Sequence, residues 1–310
     1  GTAAATINTT NGAQTIAGTI DGAAAGEGTL AVKDDDAGVA AQAATFSGNI
    51  GGSNSLGAIT VGSSTESGEA VFQGTVAATN ITVDGGDNSN ETGVIEFTKT
   101  VTATSITLDD NTGATSAVFV STAGTFTVTG TIDGGATGEG TLIILDEEGG
   151  ASDAITFASN VGAAAPLKTV TIADDRAGGD AVFNGTFAAG TVTLEAGNQA
   201  GENAGAVFVG DATITTLTLT ASATDANTDA TAEFQSALTA TTVTLDDAAS
   251  NGTAELTINA TNGAQTIAGT IDGGAAGEGT LLVFDEDNGN SDLATFSGNV
   301  GATNSLAAVT

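Results

Sequence analysis

The sequence predicts an all-β fold: a parallel β-solenoid (β-helix) of about eleven 22–26-residue coils with three longer coils among them. Three observations lead there. A tripeptide ending in Phe recurs along the chain, a second tripeptide follows it at a fixed distance, and a Gly/Asn-rich acidic turn closes each pair. The alternative is a row of tandem antiparallel β-sandwich domains matching the longer period. The solenoid is favoured because every unit carries the same slot, which sandwich strands need not share.

The first strand reads small or branched apolar, variable, Phe. It stands at Ala44-Thr45-Phe46, Ala70-Val71-Phe72, Ile95-Glu96-Phe97, Ala117-Val118-Phe119 and Ile155-Thr156-Phe157. It continues at Ala181-Val182-Phe183, Ala206-Val207-Phe208, Ala232-Glu233-Phe234 and Ala294-Thr295-Phe296. The middle residue is Thr, Val or Glu, so it faces out and its neighbours face in, as the two-residue period of a strand requires. One slot then stacks Phe46, Phe72, Phe97, Phe119, Phe157, Phe183, Phe208, Phe234 and Phe296, nine of the twelve Phe, with Leu256 filling in.

The second strand reads apolar, Thr, apolar. Ile81-Thr82-Val83, Ile106-Thr107-Leu108, Val192-Thr193-Leu194, Leu217-Thr218-Leu219 and Val243-Thr244-Leu245 each begin nine residues after a Phe. Ile59-Thr60-Val61, Val170-Thr171-Ile172 and Val309-Thr310 begin thirteen residues after theirs. The Thr row faces out, where Thr is a good strand residue and stacked Thr pairs hydrogen-bond. A flat Thr array would suit ice binding. The uneven pitch between first-strand tripeptides, from 22 to 40 residues with Ala254-Glu255-Leu256 counted among them, and the interruptions at the long units speak against flatness.

The long units carry their own signature. "TNGAQTIAGTIDG" occupies Thr10–Gly22 and Thr261–Gly273, and "GTIDG" returns at Gly130–Gly134. Each is followed by "GEGTL", at Gly26–Leu30, Gly138–Leu142 and Gly277–Leu281. They mark where a cycle of coils restarts, giving one repetitive solenoid over 1–310 with superrepeats of about 1–116, 117–251 and 252–310. In these units the outward Thr position is expected to hold Val32, Ile144 and Val283. The inserted arm, with Ile20, Ile132 and Ile271, is expected to cover them; otherwise the patch contacts another chain. Gly1 and Gly252 begin mid-coil and Thr310 stops inside a strand, so the chain reads as a window of a longer protein.

Composition narrows function. There are 37 Asp and Glu against 4 Lys and Arg, a formal net charge of −33, and no His, Cys, Trp, Tyr or Met. Nucleic acid and anionic membrane surfaces both need a basic patch, so neither is an expected partner. No apolar run reaches the eighteen or so residues of a membrane helix, so no membrane insertion is expected. Disulfides and thiolate metal sites are excluded. With no His, Cys or Tyr to serve as base, nucleophile or proton shuttle, no enzyme is expected. The carboxylate pairs Asp109/Asp110, Asp174/Asp175 and Asp246/Asp247 recur at one turn position, as a structural turn does, and catalytic residues and cofactor-binding residues are none.

Calcium is the ligand the acids suggest, because hard oxygen donors are abundant. The candidates are Asp34, Asp35, Asp36, Asp109, Asp110, Asp146, Glu147, Asp174, Asp175, Asp246, Asp247, Asp285 and Asp287. Complete EF-hand spacing is missing, and the plainer reading is that these are solvated turn acids.

Units of A-x-F followed by [IV]-T-[LV] and acidic Gly/Asn turns resemble the repeats of large bacterial surface proteins: β-strand-repeat adhesins, autotransporter passengers and S-layer-like proteins. The resemblance is one of style and covers the whole chain. It implies an extracellular, bacterial cell-surface location and a structural rod or fibre segment. Such a segment would self-associate side by side or end to end into a coat, lattice or filament. The alternative it implies is an adhesin stalk that binds a glycan or host surface.

Overall fold

The computed structural model describes residues 3–34, 42–122, 124–147, 153–174, 177–222, 224, 228–247, 252–260, 263–285 and 292–310. It is an all-β parallel solenoid of about eleven turns, built from one thirteen-stranded and one twelve-stranded sheet. Strands alternate between the sheets in chain order, so each strand lies against the one two places earlier. The ladders are parallel, as at Ala70↔Ile95 and Leu217↔Val243, which rules out the antiparallel sandwich. Strand burial alternates residue by residue, as in Thr92–Phe97, so one face of each strand makes the core and the other meets solvent.

Strand count is where the structure departs from the sequence reading. An ordinary coil contributes two strands, one to each sheet. A long unit contributes three: Ala114–Ser121, Phe126–Gly134 and Glu139–Asp146 precede the next Phe strand, Ile155–Phe157. An odd number exchanges the sheets to which the two strand types belong. The Phe strands ending in Phe46, Phe72, Phe97 and Phe119 lie in the twelve-stranded sheet, and those ending in Phe157, Phe183, Phe208 and Phe234 lie in the other. Phe296 returns to the twelve-stranded sheet, in register with Ile267. The expected single column of nine Phe is therefore two runs of four on opposite sheets, plus Phe296.

The "GTIDG" arm is the third strand rather than a cover. In the second and third copies the strands Phe126–Gly134 and Gln265–Gly273 alternate on either side of a single break at Gly130 and Gly269, and Ile132 and Ile271 are core residues. Val32 and Ile144 are also fully buried, with Val32 in register with inward Val61. The outward position expected for Val32 belongs to Ala31, which pairs with Thr60. Val283 continues the inward column by pairing with Ile258. Leu256 is also displaced. Phe234 pairs with Ile258, and Leu256 pairs with Ala232, because the ladder there steps 24 residues where the sequence motif steps 22.

The chain divides into two compact units: Gly1–Val120 with Phe126–Ile143 and Val161–Lys168, and Ser121–Thr125 with Ile144–Asn160 and Thr169–Thr310. In the first, Phe46, Phe72, Phe97 and Phe119 stack with centroids 4.8, 5.5 and 5.2 Å apart. The opposing column runs Leu30, Ile59, Ile81, Ile106, Ile132. In the second, Phe157, Phe183, Phe208 and Phe234 stack at 5.0, 5.0 and 4.5 Å, with ring planes within 13°. Phe187 meets Phe183 and Phe208 edge-on at 4.7 and 4.9 Å. Offset stacking adds about 0.5–1.5 kcal/mol per ring pair beyond area burial.

Phe208 is fully buried between two stacked rings and one edge-on ring. Phe208→Ala is expected to cost about 3–5 kcal/mol in chemical denaturation. Val207→Ala, one residue away on the outer face, is expected to cost less than about 1 kcal/mol. Equal losses would remove the ring stack as the source of core stability.

Candidate functional site

The feature with the most constructed geometry is built three times from the "GTIDG…GEG" segment. In each copy its Asp accepts two consecutive backbone N–H groups from the loop of the following coil. Asp21 Oδ1 accepts from Ser53 N and Asn54 N at 2.8 and 3.4 Å. Asp133 Oδ1 accepts from Ala164 N and Ala165 N at 2.9 and 3.4 Å. Asp272 Oδ1 accepts from Thr303 N and Asn304 N at 2.8 and 3.4 Å. A carboxylate receiving two amide donors makes charge-assisted bonds, roughly twice as strong as neutral ones.

Backbone bonds complete the docking. Gly22, Gly134 and Gly273 donate their N–H to the carbonyls of Asn54, Ala165 and Asn304 at 3.0, 3.0 and 3.2 Å. Gly26, Gly138 and Gly277 donate to Ser55, Pro166 and Ser305 at 2.9, 2.8 and 2.8 Å. Those three Gly have φ of 78°, 82° and 90°, and the Gly two residues on have 84°, 78° and 77°, which other residues reach only with strain. That requirement is what the sequence writes as "GEG". The docked loops are those of the thirteen-spaced units, so the four extra residues are the partner of the arm. Both signals stood in the sequence, but nothing in it joined them, because the partner is backbone. Asp21, Asp133 and Asp272 were therefore missing from the candidate ligands.

The candidate calcium ligands divide by place. Asp35, Asp36, Asp175 and Asp287 lie outside the described residues. Several of the rest close turns by capping a backbone N–H further along. Asp34 accepts from Gln42 N at 2.8 Å, Asp146 from Asp153 N at 3.3 Å and Asp285 from Asp292 N at 3.1 Å. Asp247 accepts from Ala254 N at 2.7 Å and Gly279 N at 2.8 Å. Asp110, nearly buried, accepts from Thr115 N at 2.8 Å and Thr115 Oγ1 at 2.6 Å. Asp174 accepts from Ala177 N at 3.1 Å. Asp109 and Asp246 lie over Gly135 and Gly274, where a Cβ would fall 2.6 and 2.7 Å from the carboxylate carbon. Glu147 donates its own N–H to Ser121 O at 3.0 Å. Among the described residues no group of three or more Asp and Glu converges to hold a metal ion.

The second unit carries a groove of about 440 Å³ on the outer face of its Phe strands. Val182 and Val207 form its floor, and Asp180, Glu233 and Glu255 supply carboxylates. Gly205 leaves room for Asp180, whose Oδ1 would lie 1.9 Å from an added Cβ. Glu233 Oε1 accepts from Asn259 Nδ2 and Gln235 Nε2, both at 2.9 Å.

No protein-family model matches this chain, and neither the curated proteins nor the solved structures hold one significantly similar to it. Its sites are therefore read from their own geometry.

In the first unit, Glu69 sits on the outer face between Ala43 and Val94, and burial pushes its carboxyl above the ordinary 4.5. Folding thus disfavours its charged form, and the penalty is relieved as pH falls through the raised value. Glu69→Gln is expected to stabilise at pH about 7 and to change little at pH about 3, where the carboxyl is neutral in both states. A variant equally stabilised at both pH values would exclude the charge as the cause.

Asp133→Ala is expected to cost about 1–2 kcal/mol in chemical denaturation, from two lost bonds. Amide exchange should quicken at Ala164 and Ala165. Exchange that quickens equally in all loops would argue against docking by Asp133.

Proposed function

We propose that this chain is a structural segment of an extracellular, bacterial cell-surface protein, one whose copies associate side by side or end to end into a coat, lattice or filament. The observation that carries the reading is the use of polar groups. Within each unit, strands join through parallel in-register ladders over stacked rings, and the capping carboxylates hold turns and loops in place. The architecture is invested in holding coils together. The acidic, Thr-, Gly- and Asn-rich, Lys-poor composition suits an extracellular surface. The high net charge keeps such a segment soluble until cations screen it.

Calcium enters this proposal as the cation that would bridge turn acids of neighbouring copies. Electron microscopy of the purified chain, with and without Ca²⁺, tests both parts. Ordered arrays or filaments are expected, growing with Ca²⁺ and dispersing with chelator. Dispersed monomers under every condition would reject self-association, and arrays indifferent to chelator would reject the bridge.

A second reading, an adhesin that binds a glycan or host surface, is favoured by the groove of the second unit. Carboxylates over an apolar floor can accept hydrogen bonds from sugar hydroxyls while the ring faces pack on Val182 and Val207. Glycan-array binding lost on Glu233→Gln, without any assembly on microscopy, would favour it.

A further inference from the structure

We propose that the outer threonine face of the second unit binds ice. The face is built by the strands Phe187–Glu195, Ala212–Thr220 and Leu238–Asp246, with Thr169-Val170-Thr171 in the neighbouring strand of the same sheet. Two columns of threonine run across it in register: Thr191, Thr216, Thr242 and Thr193, Thr218, Thr244. Thr213 and Thr239 form a further pair on one side, and Thr220 stands between Glu195 and Asp246 on the other.

The uneven pitch that spoke against a flat array does not reach this face. The three strands are each nine residues long, and they keep one register because all three break alternation at the same place, at Gly190, Thr215 and Thr241, which leaves the two threonine columns beyond the break aligned. Differences in coil length are absorbed by the turns. Beneath the threonines, Val192, Leu217 and Val243 are buried and fix the strands from below. Threonine is β-branched and restricted at χ1, so its hydroxyl and methyl have few orientations to choose from on a strand.

The array therefore has two fixed repeats, about 4.7–4.9 Å from strand to strand and about 6.6 Å between alternate residues of one strand. Both lie close to the oxygen repeats on a prism face of hexagonal ice. Hydroxyls at those spacings donate to and accept from lattice water, and the methyls between them exclude disordered water. The face is also poor in charge. Across these three strands the two central columns contain no ionisable residue, although the chain carries 37 acids; Glu195 and Asp246 stand at one margin and Asp272, paired with Thr244, at another. Carboxylates would impose hydration shells that do not fit the lattice. A second copy is a weaker occupant, because it brings a further −33 of charge and gains nothing from a two-dimensional repeat.

The test is thermal hysteresis and inhibition of ice recrystallisation by the purified chain, with two charge-matched variants. Thr218→Lys, at the centre of the face, is expected to lose most of both activities. Thr231→Lys, exposed on the outer face of the other sheet, is expected to keep them. Circular dichroism melts establish that both variants fold, and Thr218→Val, which keeps the branched shape, is expected to lose only part. Absence of both activities in the unaltered chain would overturn the proposal, as would equal loss in the two lysine variants. A concentration-dependent dimer abolished by Thr218→Lys, without any effect on ice, would assign the face to a second copy instead.

Discussion

Everything in this fold depends on parallel, in-register stacking, because it places each residue against its counterpart in the next coil. Such stacking multiplies whatever the sequence puts in a slot. Rings in the Phe slot gain from it, since offset stacking is favourable at 4.5–5.5 Å. Threonines gain from it through cross-strand contacts. Carboxylates lose, because like charges directly opposite one another repel. The sequence answers by confining most acids to turns and strand ends. There a carboxylate becomes a useful acceptor for backbone N–H groups that no ladder satisfies, as Asp34, Asp110 and Asp247 show.

Strand parity follows from the same constraint. With two sheets, each new strand must land on the one two places before it, so a three-strand unit exchanges the partners of every strand that follows. The exchange is tolerated because the inward residues of both strand types are apolar. Leu30 can follow Ala5 and precede Ile59, and Ile16 can precede Phe46. The three-strand unit thus moves the Phe column to the other sheet, and in its last copy the ladder also takes in a buried polar residue, Gln265, opposite Ala294. It also delivers the outward Asp of "GTIDG" into the threonine row, where Asp133 pairs with Thr107 and Asp272 with Thr244. A hydroxyl beneath a carboxylate avoids the repulsion that a second carboxylate would bring.

Much of this was legible in the sequence because side-chain alternation is a property of sequence. The Phe strands, the Thr row and the fixed spacings all appear in the structure as parallel coils. What could not be read is what backbone does. The arm looked like an insertion because Gly interrupts it, yet Gly130 and Gly269, with φ of 105° and 100°, sit inside otherwise regular nine-residue strands at a register shift. Leu256 was misplaced because motif spacing and ladder spacing differ by two residues, which preserves the inward face and so leaves no contradiction in the pattern. The Asp staples were invisible because an amide N–H has no sequence signature.

The same distinction accounts for which letters of the repeated segment persist in its diverged copy. Between Thr10–Gly22 and Thr261–Gly273 all thirteen residues agree, whereas the middle copy keeps "GTIDG" and the later "GEGTL" whole and only Thr122, Gly124 and Thr127 of the eight residues before them. The two segments kept whole contain the positions where geometry leaves little choice. The Ile pairs across the coils, as Ile20↔Ile50, Ile132↔Val161 and Ile271↔Val300. The Asp reaches the next loop, the following Gly approaches backbone too closely for a Cβ, and the "GEG" glycines hold positive φ. The stretch before it needs only to be a strand with an apolar inward face, and "TVT" replaces "TIA" there without loss of the alternation. The functional unit of the repeat is thus the arm together with the loop it docks, about thirty residues downstream, and a change in either is felt by both.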